Sequence, residues 1–592
     1  MYQQVLDPVA HSLAWSSLVA AIPLLLLFVL LGVLRVTAWV ASLISLAVAI
    51  AIAVLVYGMP IGQTLLAGTE GAAFGFFPIL WIVLNAIWVY NLTVVSGHFD
   101  VLRRSMARVS PDMRIQAIIV AFCFGALLEA LAGFGTPVAV TVVMLMALGF
   151  PPIRAAAVAL IANTAPVAFG ALATPIVTLG TVTSGAADDP RLNTDTLGAM
   201  VGRQTPVLAL IVPLILVAVI DGRRGIRQTW PAAVVAGVVF AVGQFLASNY
   251  ISVPLTDIIA SLAAAAAVVL LLRIWQPPAT LTHEPEPAND VAATPGTGRD
   301  APTPTGAEGG GVVATARSGI EEGGASVRAG TGGGDVLVKA EKRDSAAEVA
   351  RAYAPYLIII AIFSIVNIGP IKSALAKEPW TVVFAWPGLH VLGTNGKPLS
   401  SLNFTLGWLP AAGTLMILAG ILTAVVLRVG PGRAVRAYAH TYVSLRHAIV
   451  TVMAVLALAY VLNQSGQTNT LGAFLAAAGG FFVFLSSILG WIGVAVTGSD
   501  TSANALFGAL QVQTATKAGL DPLLLAAANS SGGVLGKMIS PQNLAIAASA
   551  VGMPGREGDI FRRVVGWSAL LLLLMCILVA LQGTPVLGWM IP

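Results

Sequence analysis

The chain has 592 residues, 57% of them hydrophobic and 10% charged, with a mean hydropathy of +0.89 and a formal net charge of +5. A soluble globule carries about 25% charged residues, so a soluble protein of this size is excluded. Apolar runs that reach the roughly 20 residues needed to cross a bilayer point instead to an all-α polytopic membrane protein. The 31 Lys and Arg residues gather at the ends of those runs, where membrane topology requires them, so the basic balance gives no reason to invoke nucleic acid. Cys123 and Cys576 both sit inside apolar segments, so neither a disulfide framework nor a metal cluster is expected, and no cofactor.

No Lys or Arg precedes the first apolar run, which is therefore expected to remain as a span and not to be cleaved as a signal. Spans are predicted near 17–34, 38–57 and 72–97. Interrupted regions follow at 115–149 and 153–182, then spans near 204–220, 229–249 and 255–272, making 1–273 a first membrane half. Residues 274–350 break the pattern with 11 acidic and 6 basic residues among Gly, Ala, Thr and Pro. With no apolar period they are predicted to be a disordered loop. The second half, 351–592, has spans near 353–371, 405–427 and 447–463, interrupted regions at 471–514 and 521–549, and a last span near 565–582. In all, about 12–14 membrane segments are expected.

Arg35, Arg103, Arg104, Arg108, Arg114, Arg223, Arg224, Arg227 and Arg273 mark cytoplasmic ends by the positive-inside rule. Arg428, Arg433, Arg436, Arg446, Arg556, Arg562 and Arg563 do so in the second half. These agree if the N-terminus is outside, loop 274–350 is cytoplasmic and 115–149 is a re-entrant hairpin entering from inside. Region 471–514 is then a hairpin entering from outside. Lys372, Lys377 and Lys397 would lie outside, against the trend.

The interrupted regions hold a repeat. Gly133-Phe-Gly-Thr-Pro137 precedes Asn163-Thr-Ala-Pro-Val-Ala-Phe-Gly170 and Thr174-Pro175; Gly498-Ser-Asp-Thr501 precedes Asn529-Ser-Ser-Gly-Gly-Val-Leu-Gly536 and Ser540-Pro541. In both copies the Gly lies 7 and the Pro 12 residues beyond the Asn. With the predicted topology the copies are inverted, each with a re-entrant hairpin and a broken helix. A helix broken inside a membrane exposes backbone groups that only protein or a wet cavity can satisfy, and half-helix N-termini attract small anions. Gly and Pro that merely permit close packing and kinks would explain either copy alone, but two copies at matched spacing favour the inverted repeat with broken helices that marks the binding site of a secondary transporter.

The runs Glu129-Ala-Leu-Ala-Gly-Phe-Gly-Thr-Pro137, Asn163-Thr-Ala-Pro-Val-Ala-Phe-Gly-Ala-Leu172 and Gly532-Gly-Val-Leu-Gly-Lys-Met-Ile-Ser-Pro-Gln542 resemble the signatures of the bacterial L-lactate permeases. The resemblance covers both membrane halves, with 274–350 as an insert foreign to the family. It implies proton-coupled symport of lactate and related 2-hydroxycarboxylates such as glycolate across the plasma membrane. A homodimer is allowed by the sequence but not required by it.

An ionisable residue in a span costs about 2.5–3.5 kcal/mol on insertion scales, so Glu129, Asp500 and Lys537 invite a functional role. Glu129, just before the first break, suits either a proton carrier or a clasp for loop backbone. With Asp500 it forms the proton-coupling candidates. Lys537 could attract the substrate carboxylate or pair with Asp500, and the pairing is favoured because an unpaired buried ammonium is costly. Gly135, Thr136, Asn163, Thr164, Thr501, Asn529 and Ser530 complete the substrate-binding candidates, or serve only to satisfy the interrupted backbone. No G-x-x-x-x-G-K-[ST] loop and no H-E-x-x-H pair is present, which argues against an ATP-driven pump or a zinc protease. A sodium-coupled carboxylate carrier, an anion channel and a membrane-embedded enzyme subunit remain as alternatives.

Overall fold

The computed structural model describes residues 2–133, 135–281, 344–394, 396–399, 402–553 and 555–592; most of the predicted loop, 282–343, lies outside them. Ten helices among these residues are long and apolar enough to cross a membrane, or eleven counting the bent pair Pro152–Ala162 and Val167–Thr183. The expected 12–14 segments differ from that number for physical reasons. Thr194–Ile251 passes as one span but reverses at Asp221–Gly222, where φ/ψ of −137/18 and 57/−144 leave helical values. A Cβ on Gly237 would stand 2.8 Å from the Leu210 carbonyl oxygen, so the two arms run antiparallel at close range. The arms Thr136–Ala147 and Ala412–Val426 are apolar but shorter than a span.

The two halves interlock in one unit. Helix Ile61–Val95 of the first half lies against Pro431–Ser465 of the second. There a Cβ on Gly71 would come within 2.5 Å of the Leu456 carbonyl, so small residues set the approach, as between membrane helices generally. Leu18, Leu418 and Leu570 stand exposed on the outer faces, as contact with hydrocarbon demands. At the centre is Met113–Ala132, whose apolar window is 100% buried within the protein.

The helix pair around each Gly motif forms a hairpin. In the first, Met113–Ala132 and Thr136–Ala147 lie side by side, and a Cβ on Gly125 would meet the Thr141 methyl across the pair. In the second, Phe482–Thr497 and Asp500–Ala518 turn at Gly498–Ser499, with Gly493 facing Ala503 and Phe507. The feet of the two hairpins have different partners. Arg114 and Arg154, at the feet of the first, bond Asp221 and the Ile220 carbonyl. Lys517, at a foot of the second, bonds the Asn469 carbonyl, and Asn469 donates to Gln4 near the N-terminus.

Two local features go beyond the sequence reading. Arg114, at the start of the first hairpin, is only 1% exposed. It bonds Asp112 (2.7 Å), Asp221 (2.9 Å) and the Ala279 carbonyl (2.5 Å), while Leu281 N–H donates to Asp112. The first residues of the predicted loop are thus fastened to the first hairpin. Burial works to raise the Asp112 carboxyl, but hydrogen bonds and charge from Arg114, with the Leu281 N–H, outweigh it and hold the group below the usual carboxylate range. At the other end, 367–411 carries a helix, Gly369–Leu375, and strand Val382–Ala385 antiparallel to Asn403–Leu406. Tyr2–Gln3 pairs parallel with Val391–Leu392, and the Tyr2 hydroxyl donates to the Ser465 carbonyl at 2.8 Å.

Candidate functional site

Each hairpin is followed by a broken helix, and the two breaks face each other through the hairpins. Pro152–Ala162 ends at Asn163, a short turn spans Val167–Phe169, and the chain resumes in Gly170–Thr183, bent by 65°. Inside this break Ala171, Leu172 and Ala173 have φ of 44°, 56° and 59°. Three successive left-handed residues with side chains cost about 1–3 kcal/mol each, a strain held in place only by complete burial. Pro522–Gly536 ends at Lys537, and after the turn Lys537–Ile539 the helix Pro541–Ala550 begins, capped by the Ser540 hydroxyl.

Packing across the halves is reciprocal. The second arm of the first hairpin lies on Pro541–Ala550, and the second arm of the second hairpin lies on Gly170–Thr183. Asn504 Nδ2 bonds the Pro175 carbonyl at 3.1 Å. Both hairpin turns also reach one residue, Asn543. Its Nδ2 donates to the Gly498 carbonyl at 3.4 Å, and its Oδ1 lies 3.7 Å from where a Cβ on Gly135 would be. Gly135 has φ +86° and Ile546 against it, so a side chain there is excluded twice, by conformation and by space.

The sequence candidates fall into two clusters. In the first, Lys537 Nζ donates to Glu129 Oε1 at 2.6 Å and Asn163 Nδ2 to Glu129 Oε2 at 2.9 Å. Glu129 and Lys537 are 3% and 7% exposed. A Cβ on Gly170 would lie 2.8 Å from Glu129 Oε1, and one on Gly133 3.5 Å from it, so the carboxylate sits in a cradle of two glycines. This corrects the expected partner: Lys537 pairs with Glu129, not Asp500. The reason is topological, since the first hairpin brings Glu129 to the second break.

In the second cluster, Asp500 Oδ2 accepts from Ser530 Oγ at 2.6 Å and Asn504 Nδ2 at 3.4 Å, while Oδ1 lacks a partner among the described residues. Asn529 donates to Asn504 Oδ1 at 2.9 Å and accepts from Gln511. Thr501 is buried beside Asp500 in the first turn of its helix. Thr164 donates to the Ile161 carbonyl one turn back, a bond that satisfies its own helix. Thr136 is half-buried, its N–H on the Gly133 carbonyl. Sequence reasoning missed Asp257, Gln244 and Glu70, all fully buried. Asp257 and Glu70 fell at expected span ends, where an acid needs no explanation.

The comparisons with known proteins decide the family. The L-lactate permease family model matches residues 16–313 and 326–585. The chain belongs to this family. An L-lactate permease of Bacillus subtilis (strain 168) is 38% identical over 609 aligned residues, covering 100% of both chains. An L-lactate permease of Escherichia coli (strain K12) is 39% identical, again over 100% of both, and the same organism's glycolate permease GlcA is 39% identical over 98% of both. The permease is a multi-pass membrane transport protein and not an enzyme. One expectation is corrected: 274–350 is not foreign to the family, because only 314–325 falls between the two matched stretches.

Proposed function

We propose that this permease is a secondary active transporter that carries L-lactate, or a related 2-hydroxycarboxylate such as glycolate, together with a proton across the plasma membrane. Relatives named for lactate and glycolate support the substrate class. The observation that carries the coupling is the Glu129–Lys537 pair, which joins the first hairpin to the second break. Both residues are buried, so either charge without the other is costly, by about 3–5 kcal/mol when a pair is broken from one side.

That cost supplies coupling. In the empty carrier Glu129 and Lys537 neutralise each other. A proton on Glu129 alone strands the ammonium, and a carboxylate on Lys537 alone strands Glu129. A proton and a carboxylate arriving together give neutral Glu129 beside a new ammonium–carboxylate pair. Empty and fully loaded carriers are thus the two charge-balanced states, and the half-loaded ones are disfavoured. Asn163, whose amide already faces Glu129, lies within this site, and Asn529, Ser530, Thr501 and Asp500 shape the second break. The reciprocal packing of each hairpin on the other half's broken helix supports an inverted repeat that rocks about these breaks, with the N-terminus outside and residues 274–350 cytoplasmic.

The test is uptake of radiolabelled L-lactate by the purified permease in proteoliposomes, with proton and sodium gradients imposed separately. An inward proton gradient alone should drive accumulation. Accumulation driven by sodium alone would replace this reading with sodium coupling.

A further inference from the structure

Asp257 is a buried acid of the core that this cycle leaves unused. It lies in the first turn of Thr256–Ile274 and is fully buried. Gln244, on the preceding helix Thr194–Leu246, donates through Nε2 to Asp257 Oδ1 at 3.0 Å and to the Ala165 carbonyl at 3.1 Å. Those two acceptors fix the amide, because turned over it would set its oxygen against two others. Asp257 Oδ2 and Gln244 Oε1 are left, both buried and both without a partner among the described residues.

A single carboxyl–amide pair thus presents two unanswered acceptors and no donor. A hydrogen carried on Asp257 Oδ2 and donated to Gln244 Oε1 would answer both and would close the pair into a ring of two hydrogen bonds. The arrangement recurs elsewhere in the chain. Gln464 Nε2 donates to Glu70 Oε2 at 2.5 Å, leaving Glu70 Oε1 and Gln464 Oε1 unpartnered.

We propose that Asp257 is a resident proton site: it binds a proton through its pair with Gln244 and keeps it throughout the transport cycle. The neutral pair then holds the Ala165 carbonyl, two residues beyond Asn163, and so positions the first break. It also leaves the Lys537 charge to Glu129 and the substrate, since an ionised Asp257 would set a second carboxylate near Glu129. The role depends on the reading above only in taking Glu129 as the carboxyl that exchanges its proton.

The test uses the full-length permease in proteoliposomes, with Asp257→Leu, Asp257→Asn, lactate exchange, gradient-driven uptake and infrared spectroscopy. Asp257→Leu removes both hydrogen bonds and should lower exchange and uptake together, by about tenfold or more. Asp257→Asn supplies the missing donor from its own amide and should restore both, with the pH profile of the wild type. The wild-type spectrum should contain a protonated-carboxyl stretch that persists at alkaline pH and is diminished in Asp257→Asn. Loss of pH-driven accumulation in Asp257→Asn with exchange intact would show that Asp257 releases its proton, and would overturn the proposal. So would an unimpaired Asp257→Leu, a carboxyl stretch unchanged by Asp257→Asn, or a sodium requirement that vanishes in Asp257→Asn. If the wild type ignores pH gradients, Glu129 coupling fails, while the exchange and infrared comparisons still decide this proposal.

Discussion

Gly170→Ala adds one methyl group where the site has no room for it. Gly170 has φ −62° and ψ 155°, values open to alanine, so the backbone itself does not object. The obstacle is Glu129, with Oε1 at 2.8 Å, Cγ at 3.1 Å and Cδ at 3.3 Å from the new Cβ. A free glutamate would swing aside, but this one is held by Lys537 at 2.6 Å and Asn163 at 2.9 Å. Overpacking of this kind costs about 1–3 kcal/mol, and displacing the carboxylate also lengthens the ion pair. Lactate uptake in proteoliposomes should therefore fall about 5- to 150-fold, while Gly62→Ala, with nothing within 4 Å of its new methyl, should match the wild type. Glu129→Asp, one methylene shorter, should recover part of the loss when combined with Gly170→Ala. Wild-type uptake by Gly170→Ala would refute the claim that the Glu129 position is critical.

Glu129→Gln and Lys537→Gln should each lower thermal stability in detergent, and the double variant should be less destabilised than their sum, because a pair removed together strands no buried charge; strict additivity would mean the pair is not coupled. Asp112→Asn should weaken the clasp around Arg114 by about 1.5–3 kcal/mol at neutral pH. The folded Asp112 carboxyl is held below its unfolded value near 4, so its contribution is present above that value and is lost as pH falls through the folded one. Thermal unfolding at neutral and acid pH should show the gap between wild type and variant closing on acidification, and a constant gap would contradict the clasp.

The helical fold class and the helix ends at the Gly and Asn motifs were legible because they rest on local signals. Apolar length, the Gly motifs, and Asn163 and Asn529 at matched distances from Gly and Pro all lie within short windows. Glu129, Asn163 and Lys537 were singled out individually for the same reason. Their partnership was not legible, because Glu129 and Lys537 are 408 residues apart and only the cross-packing of the halves joins them. Asp500 was the nearer choice along the chain, and the second hairpin turns it toward Ser530. Glu70 was hidden because the helix begins at Ile61, so an acid expected at a membrane surface lies more than two turns inside. The burial of Arg114 was not legible either, because its partners Asp221 and Ala279 come from distant parts of the chain.

The account stands most directly on what Glu129→Gln does in two assays on the same proteoliposomes. A neutral, isosteric glutamine cannot give up a proton, so accumulation of lactate driven by an inward proton gradient should fall to background. Exchange of internal for external lactate should persist, because exchange never requires the empty carrier to return with Glu129 ionised. Lys537→Ala should lose both, since the substrate carboxylate then has no ammonium to meet. Full pH-driven accumulation by Glu129→Gln would contradict the account and move the proton to another group.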